Sequence, residues 1–160
     1  MNEWHDFFVA TAGAAAALTG LIFVGVSISL STILATPTLP SRALLSIMLL
    51  LTILIYSILF LVPGQSPVLL GAESLTAGIP VWSTIVIMDL ATIRKVDSVY
   101  RSLQIRNMLI DQLALVPYIV AGIFLILKIE TGIYWIVPAF IFSFIKSVMD
   151  AWVLLVEIHR

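Results

Sequence analysis

The chain has 160 residues, 61% of them hydrophobic and 11% charged, with a net charge of -1 and a mean hydropathy of +1.16. That composition excludes an ordinary water-soluble domain and places the chain in a bilayer. The near-zero charge removes any global field for nucleic acid or an acidic substrate, and the absence of cysteine excludes disulfides, thiolate nucleophiles and cysteine metal sites.

The opening MNEWHDFF carries Glu3 and Asp6 where a signal peptide carries basic residues, and the apolar run behind it is too long for a signal core. It is expected to stay as the first of five apolar segments, at 7–34, 43–62, 75–93, 110–127 and 133–158. Each is near the roughly 20 residues an α-helix needs to cross about 30 Å of hydrocarbon. The separators, 36–42, 63–74, 94–107 and 128–132, are short, which forces antiparallel neighbours. The fold class expected is therefore all-α: one polytopic transmembrane helix bundle of five spans, with residues 1–160 as a single domain.

The first span contains TAGAAAALTGLIFVGVSISLS, in which Gly13, Ala16, Ala17, Gly20, Val24, Ser27 and Ser31 share one helical face. Lipid supplies no hydrophobic force between helices, so close backbone approach at small residues is what makes them associate. Three readings stay open for this face: packing inside the chain, a seam between copies in a homo-oligomer, or the lining of a water-filled path. At about 1.5 Å per residue, some 28 residues reach about 42 Å, so this span should tilt or project. Trp4, Phe7 and Phe8 suit the outer interface. In the later spans Pro117 and Pro138 read as interior kinks and Pro80 as part of a first turn.

Between the third and fourth spans, residues 94–107 form the longest charged stretch. If it is cytoplasmic, alternation puts Arg42, Arg94, Lys95, Arg101, Arg106 and Arg160 inside and leaves only Lys128 outside, a six-to-one bias for N-terminus out and C-terminus in. Val96, Val99, Tyr100 and Leu103 recur at helical spacing, so this cytoplasmic connection reads as an amphipathic helix, an extension of the fourth span. Its basic residues, Arg94, Lys95, Arg101 and Arg106, suit anionic headgroups or a partner protein.

The residues with chemistry are those that hydrocarbon should exclude. In the fifth span Lys146 and Asp150 lie four apart, with Ser143 and Ser147 beside them and Glu157 further along the same stripe. Counting from each helix's outer end, Lys146, Asp150, Asp89 and Asp111 all fall about 20 to 26 Å down. They are expected to form one charge layer toward the cytoplasmic side, facing the interior or a cavity. Either Lys146 bridges Asp89 and Asp150 as a polar clasp, or three aspartates against one lysine recruit protons or cations.

His5 and His159 stand at opposite ends and cannot share a metal, and no P-loop, dinucleotide fingerprint, HExxH or Gly-x-Ser-x-Gly is present. No enzyme, cofactor or metal is expected, and the halves share no inverted repeat. The N-terminal W-H-D-F-F with A-G-A-A-A-A-L-T-G-L-I-F-V-G-V-S-I-S-L, and the C-terminal I-Y-W-I-V-P with A-W-V-L-L-V-E-I-H-R, resemble those of a family of small uncharacterised bacterial integral membrane proteins. That resemblance, over a third of the chain, implies a bacterial cytoplasmic membrane and no known reaction. Two functions follow as expectations: an oligomeric ion-conducting protein, or a non-conducting scaffold or regulatory partner of another membrane protein.

Overall fold

The computed structural model describes residues 4–35, 39–96 and 98–158, with the side chains of Lys95, Val99, Glu130, Glu157 and Ile158 outside that description. The elements are helices throughout: α1 (His5–Ile28), α2 (Leu30–Ala35), α3 (Leu39–Leu61), α4 (Pro67–Lys95), α5 (Ser98–Ile126), a 3-10 turn (Glu130–Trp135) and α6 (Ile136–Ile158). Among the described residues there is no strand. Five helical stretches are long and apolar enough to cross a membrane: His5–Ile28, Leu39–Leu61, Pro67–Arg94, Tyr100–Ile126 and Thr131–Val156. These are the helices of a multi-pass membrane protein.

The helices fall into two compact units, residues 1–63 with 144–160 and residues 64–143, so α6 supplies residues to both. In the first unit α1 and α3 pack antiparallel. Phe8 near the start of α1 stacks on Phe60 near the end of α3, with ring centroids 4.8 Å apart. One turn on, the Thr11 and Ser57 hydroxyls share a 2.9 Å hydrogen bond. Thr11 also bonds the Phe7 carbonyl at 2.9 Å, so its hydroxyl is satisfied in an apolar setting. Ala15 is fully buried, and at the other end Ile33, Leu39, Ala43 and Leu154 make a small core with Val26 against it.

The first span is not one long helix. Ser29 leaves helical geometry (φ -108, ψ 21) and the chain resumes as the short α2. The excess length expected to tilt or project is thus taken up by a break, and the Ser29 carbonyl caps the new start by accepting from Ile33 N at 3.0 Å.

In the second unit α4 and α5 form an antiparallel hairpin. Ser66 caps α4 by accepting from Leu69 N at 3.2 Å, with Pro67 at the first helical position, where its missing N–H costs nothing. Because α4 starts at Pro67 and not near residue 75, Pro80 lies in its interior, while Pro138 lies in the first turn of α6; both expectations for these prolines are reversed, and Pro117 alone is interior as expected. The charged stretch of 94–107 contains the end of α4 and the start of α5 at Ser98.

The α4–α5 crossing is built on glycines. A β-carbon on Gly71 would stand 2.7 Å from the Gly122 carbonyl oxygen and 2.8 Å from the Ile126 amide nitrogen, and one on Gly122 would stand 2.8 Å from the Leu75 side chain. Only backbone without a side chain fits there. Helix α5 then ends in a Schellman motif: Ile129 N donates to Phe124 O at 2.9 Å and Lys128 N to Leu125 O at 3.1 Å, with Lys128 in the left-handed region at φ 57. The turn folds the 3-10 segment back, setting Trp135 edge-on to Phe124 at 6.2 Å.

Candidate functional site

The polar cluster of the first unit is assembled by α3 and α6. On α6, Lys146, Ser147 and Asp150 recur at helical spacing and all are buried. Lys146 Nζ lies 2.5 Å from Asp150 Oδ2, a pairing that the four-residue spacing on one helix makes local. Arg42, in the first turn of α3, brings its guanidinium to 3.7 Å from Asp150 Oδ1. Two cations therefore stand on one carboxylate.

Serines stitch the same two helices together one turn away. Ser46 Oγ donates to the Ser147 carbonyl at 2.6 Å, and Ser147 Oγ donates to the Ser46 carbonyl at 3.0 Å. This reciprocal pair satisfies both hydroxyls without water and holds the α3 and α6 backbones close. Arg42 and Ser46, one turn apart on α3, are the members that sequence reasoning missed. Their signal is their i, i+4 spacing on a helix that begins at Leu39, four residues before the expected start at 43.

Asp89 and Asp111 belong to the second unit. Asp111, on α5, is 1% exposed, while Asp89, on α4, is half-buried. Beside Asp111, Gln112 Oε1 accepts from Trp82 Nε1 at 2.7 Å, which ties α5 to α4 at this level. Ser143 is fully buried and its hydroxyl lies 3.2 Å from that of Tyr118. The Glu157 side chain lies outside the described residues, as does His159. Among the described residues no group of three or more His, Asp or Glu side chains could hold a metal ion.

The slim face of α1 is turned away from α3. Gly13, Ala16, Ala17, Gly20, Val24, Ser27 and Ser31 are all exposed. The face of α1 that meets α3 is instead the one carrying Phe8, Thr11 and Ala15. A β-carbon built on Gly13 or Gly20 meets nothing within 4 Å. At the α4–α5 junction Arg94, Arg101 and Arg106 are exposed, with Tyr100 and Leu103 exposed between them, while the Lys95 side chain is not described. Charge there is free to meet headgroups, and the two apolar side chains are free to lie on a surface.

The Asp150 carboxylate is held between two cations, and the Ser46 and Ser147 hydroxyls are each used on the other residue's backbone carbonyl. Compared with known protein families, with curated proteins and with solved structures, the chain matches none of them.

Proposed function

We propose that this is a non-enzymatic membrane protein that associates with copies of itself through the slim face of α1 and serves as a scaffold or regulatory partner of other membrane proteins. The observation that carries this reading is the exposure of Gly13, Ala16, Ala17 and Gly20 on a helix whose opposite face packs on α3. Exposed to lipid, such a face gains little, because hydrocarbon packs equally well on leucine; against a second helix it permits close backbone approach. The setting that fits the charge distribution is a bacterial cytoplasmic membrane, N-terminus out and C-terminus in, with Arg94, Lys95, Arg101 and Arg106 meeting anionic headgroups or a partner's acidic surface. The Arg42–Asp150–Lys146 cluster is read as a clasp that fixes how α3 and α6 dock.

The test is subunit counting in lipid nanodiscs or by single-molecule photobleaching. Wild type should form oligomers, and Gly20→Ile should shift them to monomers, because the added side chain has open space in the monomer but none against a partner helix.

A second reading, proton or cation conduction by the assembly, is favoured by one observation: Asp111 is an ionisable group buried to 1% in a spanning helix, where such groups more often serve transport than stability. Flux into proteoliposomes under an imposed potential decides it, with a loss in Asp111→Asn supporting conduction and no flux in wild type removing it.

A further inference from the structure

The first unit contains an apolar crevice that neither the clasp nor the slim face uses. It is a cavity of about 160 Å³ between the C-terminal half of α1, the short α2 and the last turns of α6. Ile33 and Leu154, both nearly inaccessible, form its floor; Gly25 and Ala151 leave the walls thin; Leu21 and Leu155, 69% and 52% exposed, stand at its rim. Apolar cavities of roughly 150 Å³ lined by such residues stay dry and take up hydrocarbon. Here the open rim belongs to helices long and apolar enough to span a bilayer, so hydrocarbon is the medium that reaches it.

A cation next along the chain from residues packed on the crevice says which lipid. Arg42, in the first turn of α3, directly precedes Ala43, which packs with Ile33 and Leu154 of the floor. Its partner Asp150 directly precedes the wall residue Ala151. The Arg42 side chain is 24% exposed and its guanidinium holds Asp150 at 3.7 Å, a loose contact, while Lys146 holds the same carboxylate at 2.5 Å. Arg42 can therefore offer N–H groups to a phosphate without stranding Asp150. In α1, Leu21 and Ile22 lie about 10 Å further from the helix end than Ile28 at 1.5 Å per residue, so the crevice runs along the helix axis, the direction an acyl chain takes.

We infer that this crevice is a site for one anionic phospholipid, an acyl chain lying between α1 and α6 with its headgroup phosphate on Arg42. The inference rests on the membrane setting of the helices and is independent of self-association.

The experiment is native mass spectrometry of the detergent-purified full chain after incubation with an equimolar mixture of phosphatidylglycerol and phosphatidylcholine of equal chain length. Wild type should retain one phosphatidylglycerol under activation that strips other lipids. Gly25→Phe places a ring in the crevice, and since a β-carbon there meets nothing within 4 Å the helices need not move; retained lipid should fall at least about tenfold, a change equivalent to 1.4 kcal/mol. Arg42→Gln should keep a bound chain but bring the preference for phosphatidylglycerol to near unity, and Arg42→Lys should restore part of it. Circular dichroism confirms that each variant is folded, and if Arg42→Gln is not, Gly25→Phe and the wild-type preference still decide. Undiminished lipid in Gly25→Phe, equal retention of the two lipids by wild type, or retention of detergent in place of lipid would overturn the site.

Discussion

The α4–α5 crossing makes the sharpest mechanical prediction. Replacing Gly71 by alanine puts a methyl group 2.7 Å from the Gly122 carbonyl oxygen and 2.8 Å from the Ile126 amide nitrogen, where ordinary contact begins near 3.4 Å. Both obstacles are main chain, so no rotamer change relieves them. The helices must separate by the better part of an ångström along the crossing, which also loosens Leu75 against Gly122. Overpacking of this kind costs about 1–3 kcal/mol, and the rigidity of both obstacles puts the expectation at about 3. Gly20→Ala is the control: its β-carbon meets open space, so the same chemical change should leave the monomer within about 0.5 kcal/mol of wild type. Reversible unfolding in mixed micelles, followed by circular dichroism, measures both. If Gly71→Ala unfolds at the same denaturant fraction as Gly20→Ala, the close approach of α4 and α5 is wrong.

Other outcomes follow from the clasp and the turn. Lys146→Met leaves the buried Asp150 with only the loose Arg42 contact and should cost about 3 kcal/mol, whereas the double variant Lys146→Met/Asp150→Leu removes charge and counter-charge together and should recover most of it; equal losses would mean that the pair is not buried. Lys128→Gly should stabilise the second unit by about 1 kcal/mol, because glycine adopts the left-handed conformation at φ 57 without the β-carbon penalty, and an unchanged midpoint would show that Lys128 is unstrained.

How much of this was legible in the sequence depended on whether the signal was local. Five spans were legible, because length and apolarity alone decide whether a helix can cross hydrocarbon. The Lys146–Asp150 pairing was legible as well, since four residues on one helix fix a shared face. Boundaries set by single residues were not. Gln65 and Glu73 looked like loop residues, yet Glu73 lies one turn and more inside α4 and accepts from Gln65 at 2.7 Å, and the missed Ser66–Pro67 cap displaced Pro80 from a first turn to a helix interior. The break at Ser29 had no signal distinct from the tolerated serines around it. Arg42 reads only as a cytoplasmic charge, because its distance to Asp150 depends on how α3 docks on α6, and the 107 intervening residues carry no local trace of it. The same limit hid the tightest crossing. Gly71 and Gly122 are isolated glycines on different helices, while α1 carries a conspicuous small-residue pattern that this chain leaves open.

That open face is where the account stands or falls, and the direct measurement is the subunit number of the protein in nanodiscs, wild type beside Gly20→Ile. Wild type should be an oligomer and the variant a monomer of unchanged helix content. A monomeric wild type, or an oligomer indifferent to isoleucine at position 20, would contradict it.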